Sequence, residues 1–132
     1  MRFRLFLVLL IGLFVASPLR AQDPAAAAAA AVVNAASLEQ PPQPIAGSCQ
    51  PPSYPTLLRA SQIEGRVILE FVVDTTGRIE PSSVNTISSS HSQFERAARQ
   101  ALMSCRYRPA SFNQQLARVL VRMPYTFALA RN

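Results

Sequence analysis

Along residues 66–74 the apolar and polar positions alternate with a period of two. Val67, Leu69, Phe71 and Val73 fall on one side, and Ile68, Glu70, Val72 and Asp74 on the other. Successive side chains of an extended chain point to opposite faces, so the pattern predicts a strand with one committed face. Asp74-Thr75-Thr76-Gly77 follows with turn chemistry, Gly77 supplying a positive-φ position. Ile79, Val84 and Ile87 bring the chain back as a hairpin partner interrupted near Pro81. A second alternation closes the chain: Val119, Val121, Met123, Tyr125, Phe127 and Leu129 against Arg118, Leu120, Arg122, Pro124, Thr126 and Ala128. It predicts a long final strand.

Between the two the period changes. Phe94, Ala97, Ala98, Ala101, Leu102 and Cys105 step by three and four, the stripe of an amphipathic helix ending near Cys105. Ser92-Gln93-Phe94-Glu95 opens it in the S-x-x-E form of a capping box. Upstream, Pro55 suits the first position of a short helix over Thr56 to Gln62, where its missing N–H goes unneeded, and Gly65 ends that helix. These elements predict an α+β fold: a small antiparallel three-stranded sheet, hairpin plus C-terminal strand, with two helices on one face. Pro124 has no N–H to give to a ladder, so the final strand is expected at a sheet edge. Unpaired backbone groups on such an edge can receive another extended chain, and a proline in place of Val121 suggests itself as the probe.

The first 48 residues read differently. Arg2 and Arg4 precede an apolar run of 12 residues, Leu5 to Ala16, with Pro18 before Leu19-Arg20-Ala21. These are the parts of a secretory signal over residues 1–21, cleaved after Ala21. As a helix the run covers roughly 18 Å against a hydrocarbon core of about 30 Å, which disfavours a stable span. Leu19 is not the small residue preferred before a cut, and an uncleaved signal anchor is the competing reading. Residues 22–48, with seven alanines at Ala25 to Ala31 and then Pro41, Pro42 and Pro44, predict a disordered tether. One domain is expected over residues 49–132.

Without the signal, ten arginines face seven acidic residues, a balance of +3. The arginines are scattered, which gives no footprint for nucleic acid. Cys49 and Cys105, in an exported chain, point to one disulfide closing a loop of about 57 residues, for which chain entropy gives roughly 4 kcal/mol. With His91 as the one further soft ligand they make a poor metal site, and no cofactor motif is present. For an enzyme the candidates would be His91, Ser88 to Ser92, Glu70 and Asp74. Nothing in their spacing converges on a catalytic group, so the chain is expected to be neither an enzyme nor a binder of small-molecule substrates.

Six motifs occur in order: Pro52-Ser53-Tyr54-Pro55, Ile63-Glu64-Gly65-Arg66-Val67, Glu70-Phe71-Val72-Val73-Asp74 with Gly77-Arg78-Ile79, Phe94-Glu95-Arg96-Ala97-Ala98, Arg106-Tyr107-Arg108-Pro109-Ala110, and Pro124-Tyr125-Thr126-Phe127-Ala128-Leu129. Together, over about Tyr54 to Leu129, they resemble the C-terminal domain of the TonB family. The resemblance implies helices on one face of an antiparallel sheet, and binding in place of catalysis. It implies a periplasmic domain that meets the TonB-box segment of an outer-membrane transporter by strand addition. In energy transducers of the family an anchored N-terminus couples to ExbB and ExbD at the inner membrane. Carried onto this chain, the partner-binding edge is Arg118, Val119, Leu120, Val121, Arg122, Met123, Tyr125, Thr126 and Phe127, with Arg118 and Arg122 available for acidic partners. Free sheet edges also allow a homodimer. The chain departs from the family pattern in having no histidine before His91, Cys105 where tryptophan is common, and Asn113-Gln114 where an Asn-Gly turn is common.

Overall fold

The computed structural model describes residues 32–33 and 38–130. The expected signal sequence at 1–21 and about half of the expected tether at 22–48 therefore lie outside the described residues. The elements run in the order β1 (Val32–Val33), β2 (Gln43–Pro44), α1 (Thr56–Ala60), β3 (Gly65–Val73), a 3-10 turn (Pro81–Ser83), β4 (Asn85–Ser89), α2 (Ser92–Ser104), β5 (Tyr107–Arg108), β6 (Ala110–Phe112) and β7 (Gln115–Phe127).

The two alternating segments pair with each other. β3 and β7 run antiparallel from Gly65↔Phe127 to Val73↔Val119, and β4 pairs with β3 on the far side. This register joins the odd-numbered residues of both strands on one face. There Val67, Leu69, Phe71, Val73 and Phe127 form a core with Leu58 of α1 and Phe94, Ala97, Ala98 and Leu102 of α2. The fold is thus the expected α+β arrangement. Phe94 stacks on Phe127 at 4.3 Å between centroids, and Tyr54 meets both rings edge-on. Gly65 lets this cluster close: a Cβ at that position would sit 2.6 Å from the Phe94 ring and against Ser90 Oγ.

The main sheet has five strands where the hydrophobic pattern predicts three. β6 returns from β7 through Asn113 and Gln114, whose φ values of 49° and 61° give the doubly positive geometry that suits a two-residue hairpin. The polar composition of residues 111–116 conceals this hairpin, because its side chains are mostly half-buried or exposed. β1 pairs parallel with β7, and β2 and β5 form a separate two-stranded ladder.

The folded body also takes in part of the segment that composition assigns to the tether. Glu39 N–H donates to the Ser111 carbonyl, Ile45 N–H to that of Arg106, and Ser48 Oγ also donates to the Arg106 carbonyl at 3.1 Å. Prolines hold this stretch extended, and extended chain can run along the body with its backbone groups satisfied. Next to it Cys49 and Cys105 form the disulfide, their Cα atoms 4.1 Å apart. The cap of α2 lies one residue earlier than the capping box implies. His91 Nδ1 accepts from Gln93 N–H at 3.1 Å, and Glu95 turns instead to Thr86 and Arg99. Among the described residues no helix is long and apolar enough to cross a membrane.

Candidate partner-binding edge

Which backbone groups of β7 are free follows from hydrogen bonds on the other side of β3. Arg66 accepts from Ser90 N–H, the Val72 carbonyl from Glu80 N–H, and Val72 N–H donates to Ser83 Oγ. Even-numbered residues of β3 thus aim their N–H and C=O groups toward β4 and the loop before it, and odd-numbered ones aim theirs at β7. The register pairs odd with odd, so Val119, Val121, Met123, Tyr125 and Phe127 use their backbone groups on β3. Arg118, Leu120, Arg122, Pro124 and Thr126 point theirs away from it, along the outer edge of β7.

Pro124 sits opposite Ile68, at one of these outward positions. Its missing N–H takes nothing from the β3–β7 ladder, and the inference from sequence that proline requires an edge is met by this parity. The hairpin partner β6 lies on the same side of β7 as β3. Phe112 and Gln115 flank the two-residue turn and bond each other, which turns the odd residues Gln115 and Ala117 toward β6. The outer edge is then covered at Arg118 and Val119, by β1. Beyond Val119, among the described residues, no strand pairs with it. Leu120 N–H faces the end of β1, Arg122 and Thr126 offer N–H groups there, and these three with Pro124 offer carbonyls.

The nine residues named from sequence therefore divide into two sets. Val119, Val121, Met123, Tyr125 and Phe127 face the helices and anchor the strand. Arg118, Leu120, Arg122 and Thr126 bring both backbone groups to the edge, with side chains on the opposite, helix-free face of the sheet. Tyr125 is largely withdrawn from water, and this burial, with Tyr107 nearby, pushes its phenol up to about 12.

The two arginines are not waiting for an acidic partner. Arg118 forms a two-pronged pair with Glu80, Nε to Oε1 at 2.6 Å and a terminal nitrogen to Oε2 at 2.7 Å. The hydrogen bond from Arg118 holds the Glu80 carboxyl below its ordinary value. Arg122 Nε lies 2.6 Å from Glu70 Oε2, directly across the ladder. Sequence spacing could not show this, because Glu70 and Arg122 become neighbours only through the register. Ser88 to Ser92, His91, Glu70 and Asp74 do not assemble either. His91 caps α2, Glu70 is paired with Arg122, and Asp74 Oδ1 accepts from Thr76 and Arg78 N–H within its own turn. Burial raises the Asp74 carboxyl, and the Thr76 and Arg78 donors outweigh it, so the group ends below its ordinary value.

This arrangement has relatives. Residues 50–129 match the family model described as Gram-negative bacterial TonB protein C-terminal. The chain belongs to the TonB C-terminal family. Two curated relatives, both named Protein TonB, from Xanthomonas campestris pv. campestris strains B100 and ATCC 33913, are each 35% identical over 79 residues. That match covers 60% of this chain and 35% of the relative, so the chain spans about a third of the length of these relatives. Among solved structures, the solution structure of the Pseudomonas aeruginosa TonB C-terminal domain superposes with a TM-score of 0.56 at 27% identity, covering 69% of this chain and 89% of that one. The matched span holds β3 through β7, while β1 and β2 lie before it.

Proposed function

We propose that this TonB-type domain is a periplasmic binding module that takes an extended segment of an outer-membrane transporter onto the outer edge of β7, in the service of TonB-dependent transport. The observation that carries this reading is the run of outward N–H and C=O groups from Leu120 to Thr126. Strand addition draws its affinity from such main-chain groups, and alternate side chains set specificity. The open face beside the edge carries Leu120, 42% exposed, between the two ion pairs, and Pro124 beyond Arg122, giving an incoming strand apolar contacts. The domain acts by binding. Export by the signal at 1–21 delivers it to the periplasm, where its disulfide is stable.

The reading is tested in the native envelope. A photo-crosslinking side chain at Leu120 should capture the periplasmic segment of an outer-membrane transporter, and the same group at Leu57, exposed on α1, should not. Capture from Leu57 with none from Leu120 would overturn it. Mass measurement of the processed N-terminus fixes the setting. A chain beginning at Gln22 fits a released module, and an intact Met1 would make it instead a short energy transducer anchored at the inner membrane.

A further inference from the structure

The outer edge of β7 has an occupant of its own. Val32–Val33 pair parallel with it, Val32 opposite Arg118 and Val33 opposite Val119. Arg118 and Leu120 point their backbone groups outward, so this register sets Val33 N–H against the Arg118 carbonyl and the Val33 carbonyl against Leu120 N–H. The same arm is held on the other side of β7. Leu38 packs with Ala110, Ala117 and Val119 on the helix-bearing face, and Gln40 bridges Ser111 beyond β6. The arm therefore grips both flanks of the start of β7.

We infer that Val32–Val33 is an internal strand ligand, a competitor for the edge that the proposed function assigns to a partner; the inference rests on that reading. A partner strand taking the edge from Leu120 to Thr126 meets its first donor, Leu120 N–H, already engaged, and must displace the arm to reach it. Because the arm is fixed again at Leu38, its return to the edge is intramolecular, and effective concentrations for short tethers lie in the millimolar range. A partner binding only the open fraction has its affinity lowered by that fraction. With two main-chain hydrogen bonds holding the arm, we expect the reduction to be about tenfold, equivalent to about 1.4 kcal/mol. The device keeps the exposed edge from pairing with wrong chains, a known hazard of unpaired strands.

The test uses the full exported chain and its Val33→Pro variant, which removes the N–H facing Arg118. In the wild-type chain the Leu120 amide should exchange with solvent more slowly than those of Arg122 and Thr126, and V33P should bring it to their rate. A synthetic peptide of residues 29–36, titrated by NMR to millimolar concentration, should bind V33P about tenfold more tightly than wild type, moving the Leu120 resonance. Equal Leu120 exchange in the two chains, or equal peptide affinity, would overturn the inference. Envelope crosslinking from Leu120 separates the two readings. Equal transporter capture by both chains overturns self-occlusion and leaves the binding edge standing, whereas slow Leu120 exchange without any transporter capture overturns the partner reading alone.

Discussion

Proline substitutions at neighbouring positions of β7 should have opposite consequences. Val121 aims its N–H at β3 opposite Phe71, whose side chain is fully buried, whereas Arg122 aims its N–H outward. Val121→Pro leaves the Phe71 carbonyl without its donor inside the sheet, at about 1–3 kcal/mol before any strain from the ring. For a domain of this size that lowers the melting temperature by roughly 5–20 °C. Arg122→Pro breaks no bond to β3. Its loss is the Glu70 pair, formed by an arginine 68% exposed and worth about 0–1 kcal/mol. Pro124 already occupies the same outward parity, so the local backbone accommodates the ring. Thermal melts followed by circular dichroism should therefore place V121P far below wild type and R122P within a few degrees of the Arg122→Ala control. In a pull-down, R122P should lose strand-type capture while R122A keeps it. A V121P melt close to wild type, with R122P strongly destabilised, would refute the assignment of parity. It also follows that Val121, the probe that sequence alone suggests, tests the fold and not the edge.

Other perturbations address the rest of the structure. Gly65→Ala drives a methyl group into Phe94 and Ser90 Oγ and should destabilise by about 1–3 kcal/mol in urea titration; a neutral result would mean the aromatic cluster is loosely packed. Reducing Cys49–Cys105, whose residues are 56 apart in sequence, should lower unfolding free energy by roughly 4 kcal/mol, read as a shifted denaturation midpoint with and without reductant. Glu80, Asp74 and Glu95 each have carboxyls held below their ordinary values in the fold. Their contribution is present above the unfolded-state value and is lost as pH falls through the folded one, so stability should drop below about pH 4.5. Glu80→Gln should flatten part of that drop, and an unchanged acid profile would remove the Arg118 pair from the explanation. At the alkaline end, Tyr125, raised to about 12, favours the fold below its unfolded-state value; that contribution fades between about pH 10 and 12, and Tyr125→Phe should weaken this dependence.

Much of this protein is written in its linear pattern. The period-two runs at 66–74 and 118–129 and the stripe from Phe94 to Cys105 each bury one face, and burial is recorded wherever it repeats along the chain. Pro124 alone required an edge, and two cysteines read beside an expected export signal pointed to pairing. Elements that bury little were silent. β6 forms through two positive-φ residues in a polar turn, and the chain from Leu38 to Ser48 lies on the body mainly by main-chain hydrogen bonds, which any residue but proline can donate. The partnering of Arg118 and Arg122 was also beyond reach, because Glu80 and Glu70 lie 38 and 52 residues away in the chain and meet them only through β3–β7 registry and the turn beside it. What the sequence by itself determined was which strand carries a proline that must face away from the ladder and which side chains that strand buries. Only the tertiary structure decided which backbone groups of that strand are free, since hydrogen-bond direction alternates with register and leaves no mark on residue type.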